Sequence, residues 1–308
     1  MSTDIRDARA TQVAPGVYAY IQPDGGWFIN NCGFVLGDDS VLVVDSAATE
    51  ARTSAFREAL TEVTPLPVRL LVNTHWHTDH TNGNSQFEGA SVIAHEAARE
   101  PMIEHVPTQP DPNGPFPGVE WGTLHSTRPN ITVTDSLTVW AGETRCEIRG
   151  VGGPAHTTGD LVVWIPDHGV LFAGDLAFNG QAPLVSAGSI SGSLSVYADL
   201  QALGPQVVVP GHGELCGAEI FASHIDYLTF VMEVAEAARR EGRTPLEAAR
   251  SLDEHPFSHL GDGERIVANL HRAYAELDGV APGSPIDLLA TRVDMMALNG
   301  GKGLTCHA

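Results

Sequence analysis

A chain of 308 residues is long enough for one large α/β domain or two small ones. Its 17 Lys+Arg against 38 Asp+Glu give a formal net charge of −21, which disfavours nucleic acid and anionic membrane surfaces as partners. The cysteines Cys32, Cys146, Cys216 and Cys306 form no CxxC pair, the first ten residues lack the apolar core of a secretion signal, and no apolar run reaches membrane-spanning length; no thiolate zinc site or disulfide framework is indicated, and a soluble, cytoplasmic protein is expected.

From residue 12 to 46 short strands alternate with turns: Gly16 to Ile21, Cys32 to Leu36, and Val41 to Val44 ending on Asp45, with Asp24-Gly25-Gly26 and Gly37-Asp38-Asp39 between them. This predicts a meander of hairpins leading to a buried strand. A helix is expected from about Thr49 to Val63, stopping before Pro65, then a strand over Val68 to Val72 and another over Ser91 to His95. Pro101 to Asn130 is irregular and rich in Pro and Gly, the kind of long loop that is usually functional or mobile. Further strands are expected near Ile131–Val133, Leu137–Trp140, Arg145–Val151, Leu161–Ile165, Val170–Ala173 and Val207–Val209. From Ala218 onward the chain reads as helical, with apolar spacing at Phe221, Ile225, Leu228 and Val231, a short helix opened by Pro245, a third near Glu264 to Leu277, and a short tail. No linker separates an independent unit, so a single domain over 1–308 is expected, with a core over about 12–225 and a C-terminal helical extension over about 226–308.

The chemistry concentrates in Thr74-His75-Trp76-His77-Thr78-Asp79-His80, directly after the Val68–Val72 strand. Imidazole nitrogens and carboxylate oxygens are the donor set preferred by zinc and similar divalent ions. In an extended chain His75 and His77 leave the same face and can reach one ion. Asp79 and His80 need a turn to converge on a neighbouring position, and Thr81-Asn82-Gly83-Asn84 supplies turn residues. Two ions would require about two more protein groups each. His156, Asp175 and His212 are the candidates, each glycine-flanked and each at the exit of a predicted strand, where ligand sites in such folds collect. The remaining histidines read as ordinary surface or core residues.

These elements together resemble the metallo-β-lactamase superfamily over roughly residues 12 to 225. That resemblance implies an α/β fold, an αββα sandwich of the metallo-β-lactamase type with extra C-terminal helices. It implies one ion on His75, His77 and His156, another on Asp79, His80 and His212, and Asp175 bridging. Gly25-Gly26-Trp27, Val72-Asn73-Thr74-His75, Gly153-Pro154-Ala155-His156, Asp160 to Trp164, Val267 to Ala273 and Asn299-Gly300-Gly301 further resemble the aromatic polyketide second-ring cyclase/thioesterases of the actinorhodin cyclase type.

The function expected on that resemblance is metal-dependent cyclisation of a poly-β-ketone by intramolecular aldol condensation and dehydration, with thioesterase release from an acyl carrier protein. The cofactor expected is a pair of divalent ions, zinc first and iron or manganese as alternatives. Asp79 is the expected catalytic residue, orienting the attacking water as ligand and hydrogen-bond acceptor. The alternative is a small-molecule hydrolase, a lactonase or glyoxalase II-like thioesterase, using the same site. A periplasmic β-lactamase is disfavoured by the missing signal sequence, a di-iron redox protein by the missing flavin domain, and a non-catalytic binding module by the complete donor set. Arg239, Arg240, Arg243 and Arg250 form the one basic window that could dock an acidic carrier protein. Specificity is expected to lie in Pro101 to Asn130, Phe178 to Gly192 and the C-terminal helices; Trp76, Phe116, Trp121 and Phe178 are candidates for an aromatic wall, with core packing the default for any one of them.

Overall fold

Valines and isoleucines alternate between two faces along the strands, and that alternation stacks the chain into four layers. The computed structural model describes residues 4–104 and 114–308. Strands β1 (Arg9–Ala14), β2 (Val17–Ile21), β3 (Cys32–Leu36) and β4 (Val41–Val44) form the antiparallel meander. Helix α1 (Glu50–Val63), capped by the Thr49 side chain on the Arg52 amide, crosses to β5 (Val68–Val72), which pairs parallel with β4. A one-turn helix α2 (Thr78–Thr81) follows, then β6 (Ser91–His95), α3 (Arg99–Glu104) and β7 (Ile131–Val133). These seven strands make one sheet in the order β1-β2-β3-β4-β5-β6-β7.

The second sheet is built from β8 (Ser136–Ala141), β9 (Thr144–Gly150), β10 (Leu161–Ile165) and β11 (Val170–Asn179); then come helix α4 (Ile190–Ala202) and strand β12 (Val207–Gly213). Its order is β12-β11-β10-β9-β8, antiparallel except for the parallel β11/β12 pair made possible by the α4 crossover. Four helices complete the chain: α5 (Glu219–Arg240), α6 (Pro245–Arg250), α7 (Arg265–Leu277) and α8 (Leu288–Leu298).

Between the sheets, Val17, Ala19, Ile21, Leu42 and Val44 meet Leu161, Val163, Ile165, Val170 and Phe172. The alternate residues point outward: Phe34, Val41, Val43 and Leu71 pack on Phe56 and Leu60 of α1, while Val162, Trp164 and Leu171 pack among Val196, Tyr197, Phe221 and Leu228 of α4 and α5. Strands covered on both faces lose the polar alternation of a half-exposed sheet, which is why β4 and β10 are buried at every position. The result is the expected αββα sandwich with additional C-terminal helices. No helix among the described residues is long and apolar enough to cross a membrane.

Four elements depart from the sequence reading. β11 and β12 run on through Asp175 and His212, so these residues lie within paired strands; register shifts around Gly174 let the β11/β12 pairing resume at Phe178 and His212. Helix α4 was absent from the predicted elements, and the expected tail contains helix α8. Its sequence, LLATRVDMMAL, leaves Leu289 and Val293 exposed and buries only Thr291 and Met295, so it lacks the apolar stripe of an ordinary core-packed helix. Of the irregular segment expected over Pro101 to Asn130, residues 105–113 lie outside the described residues, and its first turn belongs to α3.

Candidate metal centre

The seven predicted side chains meet at one edge of the two sheets. β5 ends at Val72 and delivers Thr74 to His77; His77 is the residue preceding α2, whose first turn carries Asp79 and His80. From the opposite sheet come His156, in the loop before β10, Asp175 in β11 and His212 in β12. Two glycines make the approach possible. A Cβ on Gly174, which has φ +52°, would lie 2.4 Å from Thr74 Oγ1, and one on Gly211 would lie 2.0 Å from Asp175 Oδ1.

The donor atoms form two groups, His75, His77, His156 and Asp175 in one and Asp79, His80 and His212 in the other, each within 4.8 Å. Asp175 faces both groups. Its Oδ1 is 3.1 Å from His80 Nε2 and 3.4 Å from His212 Nε2, and its Oδ2 is 3.3 Å from His156 Nε2 and 3.8 Å from His75 Nε2. Asp79 Oδ2 is 3.3 Å from His212 Nε2. His77 turns its other nitrogen inward, with Nδ1 2.8 Å from His156 Nε2.

Which ring nitrogens carry protons follows from partners that can only accept. His156 Nδ1–H donates to the Leu184 carbonyl at 2.6 Å, and His212 Nδ1–H to the Gly25 carbonyl at 3.1 Å. His80 Nδ1–H donates to Asp45 Oδ2 at 2.9 Å. The Thr74 hydroxyl also gives its proton to Asp45 Oδ2, at 2.7 Å, leaving its oxygen to accept from His75 Nδ1–H at 3.1 Å. In the neutral ring all four Nε2 lone pairs therefore point inward. His75 Nε2, His80 Nε2 and Asp175 Oδ1 are buried without a hydrogen-bond partner; the 3.1 Å approach of the latter two lies off the line a hydrogen bond needs. Inward lone pairs, two carboxylates and orphaned buried acceptors are what a pair of cations would satisfy, and the donor chemistry fits divalent ions.

Without an ion the surrounding carboxylates hold protons on His80 and His212, protons that a bound cation would replace. Burial, with the neighbouring His156 ring, holds His77 down to about 3; burial with His80 keeps His75 well below its ordinary value, and burial lowers His156. Burial also opposes charge on His80 and His212, but Asp175 and then the other nearby carboxylates outweigh it, lifting His80 well above its ordinary value and His212 to about 9. Burial pushes Asp79 and Asp175 upward, yet the imidazoles more than reverse this, holding Asp79 at about 2 and Asp175 well below the usual carboxylate range. Both carboxylates stay ionised at neutral pH.

Sequence reasoning missed the supports. Asp45, 2% exposed with φ +59°, accepts from the Thr74 amide at 2.8 Å as well as from the Thr74 hydroxyl and His80. Asn73 and Asn84 hold the turn: Asn73 Nδ2 donates to the His80 carbonyl and Asn84 Nδ2 to Asn73 Oδ1. Asp160 accepts from the Thr157 amide and hydroxyl and fixes the loop that carries His156. A charged residue closing a fully apolar strand, as Asp45 closes Val41–Val44, was the readable signal for one of them.

The two donor groups open into a cavity of about 210 Å³. His77, Asp79, Asp175 and His212 line its floor, and Trp27, Phe28, Trp76, Phe116 and Phe178 its walls. Trp121 does not line it; it packs with Ala48, Val119 and Phe28 instead. Phe178 stacks on the His212 ring at 5.4 Å and 11°, and the Arg265 guanidinium sits between Phe178 at 5.1 Å and Trp27 at 4.3 Å. In the basic window, Arg239 pairs with Asp278 and Arg243 with Glu241, Arg240 donates to the Glu236 carbonyl and Arg250 to that of Ala297.

Comparison with known proteins matches residues 25–212 to the family model described as Metallo-beta-lactamase superfamily. The chain is 25% identical over 225 residues to a metallo-beta-lactamase type 2 of Bacteroides fragilis, covering 70% of this chain and 82% of that protein. It is 26% identical over 200 residues to a hydroxyacylglutathione hydrolase of Erythrobacter litoralis, covering 62% and 69%. Over 170 residues it is 28% identical to the acyl-coenzyme A thioesterase MBLAC2 of Gallus gallus, covering 50% and 60%. Among solved structures, a metallo-beta-lactamase from Pontibacter korlensis superposes with a TM-score of 0.58 at 21% identity, covering 72% of this chain and 99% of that one.

Proposed function

The chain belongs to the metallo-beta-lactamase superfamily of metal-dependent hydrolases, and from that premise we propose that it hydrolyses acyl thioesters with two divalent ions, zinc foremost, held by His75, His77, Asp79, His80, His156, Asp175 and His212. The observation that carries this reading is the pair of donor groups opening on one aromatic-walled cavity. Similarity to a hydroxyacylglutathione hydrolase and an acyl-coenzyme A thioesterase supports thioesters over other acyl compounds. When bound, such ions polarise the acyl carbonyl and lower the pKa of water toward neutrality.

The chain's own residues do the rest. Asp79 stays ionised on the cavity floor and accepts a hydrogen bond from the attacking water, aiming its lone pair at the acyl carbon. Asp45, Thr74 and the Gly25 and Leu184 carbonyls hold the imidazoles in one tautomer, so no reorganisation is needed at the moment of reaction. Trp27, Trp76, Phe116 and Phe178 exclude bulk water and pack the acyl group.

A second reading is supported by those flat walls: an aromatic-tolerant cavity would hold a folded poly-β-ketone for intramolecular aldol closure, proximity supplying much of the rate. The deciding experiment combines metal analysis of the purified protein with assays on simple acyl thioesters, lactones and a synthetic poly-β-ketone thioester. Two ions per chain and thioester turnover abolished by His77→Ala are expected. Fewer than one ion, or turnover indifferent to that change, would refute the two-metal reading; a cyclised aromatic product would move the assignment to the second reading.

A further inference from the structure

The roof of the cavity comes from a part of the chain beyond the family match, which ends at residue 212. Leu288, Thr291, Arg292 and Met295 of α8 all line the cavity. Their spacing is i, i+3, i+4 and i+7, so one stripe of the helix faces the substrate space and Leu289 and Val293 point elsewhere. Met295 and Thr291 are the buried part of that stripe, and Leu288 and Arg292 are its solvent-exposed part.

The charges on the wall are few. Among the described residues lining the cavity the acids are Asp79 and Asp175, both within the donor groups, and the arginines are Arg265 and Arg292. Arg265 is committed: it pairs with Asp262 Oδ2 at 2.7 Å, donates to the Ala182 carbonyl at 3.0 Å and is stacked between two rings. Arg292 makes no ion pair or hydrogen bond with any described residue, and the nearby Asp294 is engaged by His271 at 2.8 Å. In a chain with 38 acids and 17 bases, where most described arginines have acidic or carbonyl partners, an uncommitted guanidinium on the lining stripe of a cavity is placed for an anion from outside.

We propose that Arg292 is a specificity-determining residue that receives an anionic group, carboxylate or phosphate, on the thiol half of the substrate at the cavity mouth, and that α8 thereby fits this site to thioesters of anionic thiols. This rests on the thioester reading above. The acyl group lies inward against the aromatic walls and over Asp79, and the thiol half extends outward past Leu288, which is 39% exposed, to the guanidinium.

The test compares one acyl group on three thiols: coenzyme A, which carries phosphates; glutathione, which carries carboxylates; and N-acetylcysteamine, which is neutral. In Arg292→Glu the ratio of kcat/KM for the preferred anionic thioester over the neutral one should fall by about ten- to a hundredfold, the range of a charge-assisted hydrogen bond, with the change in KM. Arg292→Lys should recover part of it. Val293→Glu puts the same carboxylate on the neighbouring position off the lining stripe and should leave the ratio near wild type. Which anionic thiol suffers identifies phosphate or carboxylate. An unchanged ratio in Arg292→Glu, or an equal fall in Val293→Glu, overturns the proposal. If the wild type turns over no thioester, the thioester reading itself has failed, and calorimetry with free coenzyme A and glutathione then decides for Arg292: binding of either thiol that Arg292→Glu removes supports it, and binding of neither overturns it.

Discussion

Asp45→Asn isolates the support beneath the histidine cluster. The change keeps shape and volume, and Asn tolerates the left-handed backbone at φ +59°, so no strain is added. What changes is the proton on His80 and, through the Thr74 hydroxyl that shares Asp45 Oδ2, the proton on His75. Asp45 Oδ2 now accepts from His80 Nδ1–H at 2.9 Å, whereas an amide NH2 there would donate to Nδ1 and drive the proton to Nε2, the atom facing Asp175. The alternative, keeping the proton on Nδ1, leaves two buried donors facing each other and costs about 1–3 kcal/mol. Either way the loss falls on metal affinity, by about ten- to a hundredfold, the usual effect of removing a partner behind a ligating histidine. Asp45→Ala should do worse: it orphans the Thr74 amide as well and places alanine in the left-handed region, which adds about 1–2 kcal/mol. Zinc affinity measured by competition with a chelator of known strength, and urea unfolding of the metal-free protein, separate the two effects. Wild-type affinity in Asp45→Asn, or equal metal-free stability of the Asn and Ala variants, would refute the reasoning.

Other outcomes follow from the same geometry. Gly211→Ala should abolish metal binding, because its Cβ would sit 2.0 Å from Asp175 Oδ1, whereas Gly89→Ala, with nothing within 4 Å, should cost only the roughly 1–2 kcal/mol of its positive φ; metal analysis and melting curves on both variants check the contrast. Phe178→Ala removes a 2% exposed ring stacked on His212 and should destabilise by about 3–5 kcal/mol in urea titrations; a loss under about 1 kcal/mol would mean the ring is not a packed wall. Returning zinc to chelator-stripped protein at a hundredfold over its Kd should stabilise by about 2.7 kcal/mol, and a melting temperature indifferent to zinc would count against the donor groups as a binding site.

Much of the site was readable because its chemistry is local. His75, His77, Asp79 and His80 fall within six residues after an apolar strand, and His156, Asp175 and His212 each carry glycine neighbours whose purpose the structure makes explicit at Gly174 and Gly211. The sandwich was readable for a similar reason: strands buried on both faces, such as Val41–Val44, have a distinctive apolar signature. Asp45 was read only as the end of such a strand, because its role depends on a proton shared with a residue 35 positions away. Trp121 took the core packing that the sequence left as the default for each aromatic candidate, and only the structure separated it from the wall residues, because an aromatic in an irregular segment looks the same whether it packs against Ala48 and Val119 or lines a cavity.

The sequence by itself determined the donor set, the layers and the family resemblance, since spacing and periodicity are properties of neighbouring residues. Tertiary structure decided what encloses the site. The imidazole tautomers depend on the Gly25 and Leu184 carbonyls and the Asp45 carboxylate, which lie outside the strands and far away in the chain, and the roof depends on helix α8 folding back over the cavity. A weakly amphipathic helix carries no sequence mark of the surface it will cover, because burial is settled by where the rest of the chain places it.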